Sequence, residues 1–320
     1  MAFLIGTDEA GYGPNLGPLV VSISVWRVPD CDLNCDLYDK LKDAVSDKVD
    51  RNSGGRIAVA DSKKLFQPSH GLQHLESGVL TALGCLGATP DTWLSVWKRL
   101  AANVTEQFPD ILWYRDYDCV VPVDADVQQT EANLSKFKSS LQDNRVELCD
   151  LKSAAVLPRP FNQMIEQHGN KAAALSTITL DLVVDAIAKL PSEPIRIVCD
   201  KHGGRNNYAP FLQPRFDDRL IRVITEGRAR SAYDVGTQHQ PINISFQTQG
   251  ESYLPSAFAS MASKYLRELA MKAFNDFWQT QVKDLRPTAG YPVDAKRFKL
   301  DIAKAQKRLK VSDQVLWRNR

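Results

Sequence analysis

Four short segments hold the residue types that handle charge and phosphate. In the first, Asp8 and Glu9 lead into Ala10-Gly11-Tyr12-Gly13-Pro14-Asn15-Leu16-Gly17-Pro18. Two adjacent carboxylates thus precede a glycine-dense turn, where missing side chains let a ligand approach the backbone closely. The G-x-G-x-x-x-G spacing departs from a dinucleotide fingerprint, and the two acids would repel a pyrophosphate unless a cation intervened. The Lys-Ser/Thr of a P-loop is missing as well. Acids beside exposed backbone make chemical sense if Mg2+ sits on the carboxylates and a phosphate sits on the ion. The second segment, Asp61-Ser62-Lys63-Lys64-Leu65, offers vicinal lysines that can reach a phosphate as point charges. The third sets Asp200 at the tip of the run Ile-Arg-Ile-Val-Cys, ahead of Lys201-His202-Gly203-Gly204-Arg205. The fourth is Gly250-Glu251-Ser252-Tyr253-Leu254-Pro255, running into Ala259-Ser260-Met261 with Lys264 and Arg267. Each has a plainer explanation alone: a solvated turn, a surface charge pair, or a helix cap.

These residues need elements to position them. Ala2 to Thr7 is an apolar run that reads as a buried strand delivering Asp8 and Glu9 to its end. Leu19 to Val28 reads as a second strand and Ile57 to Ala60 as a third, an antiparallel start. Thr89-Pro90-Asp91 has the form of a helix start with Thr89 as cap, followed by Trp93, Trp97, Leu100 and Val104 on one stripe. A strand around Leu112 to Val123 and a helix from about Asp124 to Gln142 should follow. Asn170 to Leu190 is a long helix, and Ile195 to Cys199 a buried strand ending in Asp200, the grammar of an α/β domain. Strands fit Arg219 to Thr225 and Ile242 to Gln247, and Pro255 opens a helix reaching about Trp278. Ala257, Ser260 and Ser263 would let that helix press close against a sheet.

The 320 residues are 43% hydrophobic, enough for one large domain without staples. Lys and Arg total 40 against 38 for Asp and Glu, so any basic surface must be local. Lys296 to Lys310 supplies one, with seven basic residues against Asp301 alone; the solvated face of a helix explains it equally well. The six cysteines are scattered without zinc spacing and read as reduced thiols of a cytoplasmic protein. Neither a secretion signal nor eighteen consecutive apolar residues occur, so no membrane association is expected.

Together and in this order, the four segments resemble the type 2 ribonuclease H family, ribonucleases HII and HIII. Asp8 to Pro14 is similar to its Asp-Glu-x-Gly-Arg-Gly-Pro opening, Asp61 to Leu65 to its Asp-Ser-Lys-x-Leu element, and Asp200 falls at its third acid. Ala259-Ser260-Met261 with Lys264 and Arg267 resembles its Ala-Ser-Ile-x-Ala-Lys-x-x-Arg-Asp helix, and Gly290-Tyr291-Pro292 resembles a later Gly-Tyr element. Phe161-Asn162, Asn170-Lys171 and Glu251 agree best with the HIII branch. Tyr12 departs from the family, which mostly carries Arg or Lys there.

The resemblance implies an α/β fold: a ribonuclease H-like mixed sheet flanked by helices, one domain over 1–320, with an inserted segment at about 88–142 and a C-terminal helical, basic region at about 255–320. It also implies a metal-dependent endoribonuclease hydrolysing the RNA strand of RNA-DNA hybrids with two Mg2+ or Mn2+ ions. Asp8, Glu9, Asp200 and Glu251 would be the metal-holding catalytic acids. Gly11, Tyr12, Gly13, Ser62, Lys63, Lys64, Lys264 and Tyr291 would meet the nucleic acid. No protein partner is evident. The alternatives are a structure-specific nuclease of the same fold acting on another nucleic acid, and a catalytically inactive nucleic-acid-binding protein.

Overall fold

The opening apolar run becomes strand β1, Ala2–Ala10, in the computed structural model, which describes residues 1–49, 55–66, 71–248 and 250–319 and, of Glu251, the backbone alone. β1 pairs antiparallel with β2, Leu19–Val28, along its whole length. Helix α1 (Leu37–Lys40), strands β3 (Val45–Ser46) and β4 (Ile57–Ala58), and helix α2 (Ser62–Leu65) follow. The expected third strand at 57–60 therefore shrinks to two residues, paired in parallel with β3 in a small sheet of its own. Both edges of the β1–β2 hairpin are already taken: β5 (Glu147–Val156) lies along β2 and β6 (Ile195–Asp200) along β1.

Between β4 and β5 run α3 (Gln73–Cys85), α4 (Trp93–Leu100), α5 (Ala102–Thr105) and α6 (Val127–Asp143). α4 is capped by Thr92 rather than Thr89: Thr92 Oγ1 accepts from the Ser95 N–H, and Ser95 Oγ accepts from the Thr92 N–H. It ends at Leu100, and Val104 belongs to α5. No strand forms over 112–123, where a single bridge joins Thr92 to Val120. Consecutive Trp113 and Tyr114 are both buried, which the alternation of a half-buried strand does not allow. α6 starts at Val127, since Asp126 takes the capping role while Asp124 accepts from the Leu72 N–H.

The chain continues through α7 (Pro158–His168), α8 (Lys171–Ile187, capped by Asn170), β6, α9 (Ala209–Leu212), β7 (Arg222–Thr225), β8 (Arg230–Asp234), β9 (Ile242–Gln247), α10 (Leu254–Gln281), α11 (Pro292–Arg308) and α12 (Asp313–Leu316). The main sheet is mixed, with seven strands in the order β5-β2-β1-β6-β9-β8-β7; β1, β6 and β9 run parallel at its centre. Alternation along β1 divides the core. Phe3 and Ile5 pack with Ile195, Ile197, Leu180 and Val183 on the α8 face, while Ala2 and Leu4 join Phe258, Ala262 and Leu266 on the α10 face. The segment 88–142 shares this second core: Trp93 buries its ring and donates Nε1–H to the Leu269 carbonyl of α10 at 3.0 Å. Among the described residues no helix is long and apolar enough to cross a membrane.

Gly6 sets how closely α10 approaches. A Cβ there would lie 2.1 Å from the Ser256 backbone nitrogen and 2.2 Å from the Pro255 carbonyl carbon. The helix backbone therefore rests directly on β1, and hydroxyls on its sheet-facing stripe bond to the strands, Ser256 to the Val198 carbonyl at 3.1 Å and Ser263 to the Asp8 carbonyl at 3.0 Å. Because backbone cannot yield as a flexible side chain can, Gly6→Ala should cost about 3 kcal/mol or more in urea unfolding. Gly204→Ala, where nothing lies within 4 Å of the added carbon, should stay within about 0.5 kcal/mol of wild type. Equal stability of the two variants would refute the contact.

Candidate metal centre

β1 and β6 end side by side, with Thr7 opposite Cys199 as their last registered pair, so Asp8 and Asp200 emerge as neighbours at the carboxyl ends of parallel strands. Crevices at such ends are where open α/β sheets receive ligands. Asp8, Glu9 and Asp200 each present a carboxylate oxygen, and these oxygens lie within 4.8 Å of one another. All three residues are half-buried, in strands whose other residues here are largely inaccessible.

The cluster is electrostatically unfavourable by itself. Burial first, then the charge of Asp200, pushes the Asp8 carboxyl up to about 7, against hydrogen bonds from the Ser260 side chain and the Glu9 N–H. Glu9 is pushed well above the ordinary carboxylate range by burial and by both aspartates. Three acids gathered in this way fit a hard divalent cation, which takes carboxylate oxygens. Glu251 follows β9 in the 3-10 turn Gly250–Ser252, and its side chain lies outside the described residues. Asp234, the other acid nearby in sequence, sits opposite Asn243 at the far end of the sheet, bonded to Asn243 and Arg222.

The Ser260 hydroxyl of α10 holds the Asp8 carboxylate. Ser260 accepts from the Ser62 N–H at 3.2 Å and bonds the Ser62 hydroxyl at 3.1 Å, which ties α2 to the same spot. Asp61 caps α2 through the Lys63 N–H at 2.9 Å. Lys63 is exposed above the cluster. Burial pulls its ammonium down, but Asp61, Asp8, Asp200 and Glu9 together raise it above its ordinary value. Lys64, also exposed, borders a cavity of about 620 Å³ with Lys42, Arg56 and Ser252. Lys264 pairs with Glu268 at 2.5 Å and lies 4.2 Å over the Phe66 ring.

Two buried arginines shape the glycine loop. Arg267 donates to the carbonyls of Pro18 at 2.8 Å, Leu16 at 3.2 Å and Ala289 at 3.0 Å. Arg318 donates to the carbonyls of Gly11 and Pro14. Burial lowers both guanidiniums, and the charge of Arg267 lowers Arg318 further. Gly11 has φ +92°, and a Cβ there would lie 2.5 Å from the Pro18 carbonyl oxygen, so only glycine fits. With its carbonyls turned inward, the loop leaves the N–H groups of Gly11, Tyr12 and Gly13 without an acceptor among the described residues. Tyr291, 56% exposed, stands 3.7 Å from the position of a Gly13 Cβ. Sequence reasoning missed Arg318, because an arginine near a basic tail gives no sign that it is buried. It also read Ser260 and Ser263 only as small residues.

After Asp200 the chain is pinned down. Lys201 donates to the carbonyl of Arg205 at 3.1 Å, to Asn206 Oδ1 at 3.0 Å and to Ser231 at 3.1 Å. His202 bonds Ser176 at 2.9 Å, and burial followed by the charge of Arg205 pushes its imidazole down to about 3. It is neutral near pH 7 and serves the loop's framework.

No protein-family model and no curated protein matches this chain. In overall structure it is similar to solved ribonucleases HII and HIII. The ribonuclease H2 of Pyrococcus horikoshii OT3 shares 15% identity over 98% of this chain and 92% of its own, with a TM-score of 0.44. The RNase HII of Archaeoglobus fulgidus, solved in complex with PCNA, shares 12% over 99% and 94%, with a TM-score of 0.45. Bst-RNase HIII, solved with Mn2+, shares 13% over 99% of this chain and 66% of its own, with a TM-score of 0.39.

The raised Asp8 carboxyl fixes a sign. A folded-state value near 7, above the ordinary 3.8, means this group favours the fold fully below about pH 4 and loses that contribution as pH rises through 7. In metal-free buffer, Asp8→Asn should therefore melt at a higher temperature than wild type at pH 8, with the gap closing towards pH 5. Saturating Mn2+ should reverse the order at pH 8, because the cation offsets the repulsion only where the carboxylate is present. A gap that does not change with pH would exclude this coupling.

Proposed function

We propose that this protein is a divalent-metal-dependent endonuclease that hydrolyses the RNA strand of RNA-DNA hybrids, with Asp8, Glu9, Asp200 and Glu251 as the acids holding Mg2+ or Mn2+. The observation that carries this reading is the convergence of three carboxylates, oxygens within 4.8 Å, at the ends of two parallel strands beside an open-backbone glycine loop. Bound there, a pair of ions would activate water and stabilise the departing 3'-oxygen. The chain's own groups supply the rest. Asp8, which leads the acidic pair on β1 and has Asp200 beside it, would be the acid shared by the two ions. Lys63 offsets phosphate charge, and the Gly11 and Gly13 backbone beside Tyr291 meets the ribose, whose 2'-OH separates RNA from DNA. From Tyr291, α11 carries exposed Lys296, Lys304 and Lys307, a span of about 16 Å that suits successive backbone phosphates. The order of the four segments, resembling ribonucleases HII and HIII, favours this reading over a binding protein without catalysis.

Three substrates test it: an RNA-DNA hybrid, duplex DNA with a single ribonucleotide, and all-DNA duplex, each with Mg2+ or Mn2+. Cleavage should require RNA and a divalent ion. Asp8→Asn should reduce hydrolysis to the level of the metal-free control while hybrid binding persists, since it removes metal-binding charge at nearly constant volume. Equal cutting of DNA and RNA strands would replace this reading with a structure-specific nuclease, and full activity in Asp8→Asn would remove Asp8 from the centre.

A further inference from the structure

Two cations, Lys171 and Arg205, gather around Tyr12 in the glycine loop. Tyr12, the residue between the two open glycines, packs its ring beneath Lys171, whose Nζ lies 4.5 Å from the ring centroid. That distance is within the range of a cation–π contact, which holds an ammonium in place. The Tyr12 hydroxyl reaches the loop after Asp200. A Cβ on Gly203 would lie 3.1 Å from that oxygen and 3.8 Å from the Ala172 Cβ, so Gly203, with φ +62°, leaves room for the tyrosine. Arg205, two residues on, lays its guanidinium 4.2 Å over the Phe211 ring, and its buried Nε meets no acceptor among the described residues. Tyr12 feels both sides of this arrangement: after burial, the charge of Glu9 raises its phenol and the charge of Arg205 lowers it.

From this placement we infer that Lys171 and Arg205, gathered around Tyr12, form a subsite for a backbone phosphate of the bound nucleic acid, on the side of the carboxylates away from Lys63. The inference rests on the nuclease reading above and deepens it. Lys63 reaches the cluster from α2, whereas Lys171 and Arg205 come from α8 and the β6–α9 loop, so a strand crossing the carboxylates would meet positive charge on both flanks. The free N–H groups of Gly11, Tyr12 and Gly13 lie between the flanks and add donors of the kind that suit anions. Tyr12 carries no charge itself. It is the platform that fixes Lys171.

Binding of a fluorescent RNA-DNA hybrid across a salt series tests this, in an Asp8→Asn background that prevents cleavage. Lys171→Gln and Arg205→Gln keep most of each side chain's stem and remove the charge. Each should weaken binding by about tenfold and lower the slope of log affinity against log salt by about one. Lys171→Arg should retain both affinity and slope, which separates charge from disturbed folding. Lys98→Gln, at an exposed position on α4, should change neither. In otherwise wild-type protein, the Lys171 and Arg205 losses should appear in KM rather than in kcat. Unchanged slopes in both Gln variants, or an equal loss in Lys98→Gln, would overturn the subsite while hybrid cleavage by the wild type left the nuclease reading standing. A wild-type protein that neither binds nor cleaves the hybrid would overturn both.

Discussion

At Gly6 a hydrogen atom stands where any other residue would drive a carbon into the backbone of α10. Two residues along a strand advance about 6.6 Å and four along a helix about 6 Å, so the two elements stay in step once they touch. Gly6 lies against Ser256, Asp8 meets Ser260, and the same helical stripe continues through Ser263 to Arg267. A single close approach thereby fixes the carboxylate, the serine that donates to it, and the guanidinium that folds the glycine loop. A side chain at position 6 would alter all three together.

Charge is distributed around this frame with a clear division of labour. Arg267 and Arg318 are buried and both donate to backbone carbonyls of the glycine loop, so they shape the loop. The acids are half-buried and repel one another, a cost that a bound cation removes. Lys201 and His202 adjoin Asp200 in sequence but turn into the protein, where both are satisfied by hydrogen bonds. Proximity in the chain therefore misjudges which groups face the cleft.

The strands and helices whose apolar pattern is long were legible from sequence: β1, β2, α8, β6, β9 and α10 all lie where their periodicity put them. Asp8, Glu9 and Asp200 were joined in the sequence only by the order of the four segments, because each acid alone reads as readily as a turn or a helix cap. The stretch between α4 and α6 was not legible. Its Trp113, Tyr114 and Tyr117 carry strand-like propensity, yet they are drawn into an aromatic cluster with Trp93 and Phe108 on α10's far half. Tertiary packing overrides local preference there. β5 and β8 were missed because charged and small residues interrupt their alternation, and their place in the sheet is set by neighbours already present. Lys171 and Arg205 stood out only as members of longer motifs, not as a pair, since a cation's role depends on the ring it rests on.

The hydrogen bond from Arg318 to the Gly11 carbonyl spans 307 positions, and Asp8 waits for β6 to bring Asp200 beside it. Non-local pairings of this kind are made late, after the intervening chain has been ordered. A nascent chain can form the β1–β2 hairpin early, but it cannot gather three carboxylates or set the glycine loop until most of its length has left the ribosome. The carboxylate cluster and the glycine loop thus take shape together, among the last events of folding.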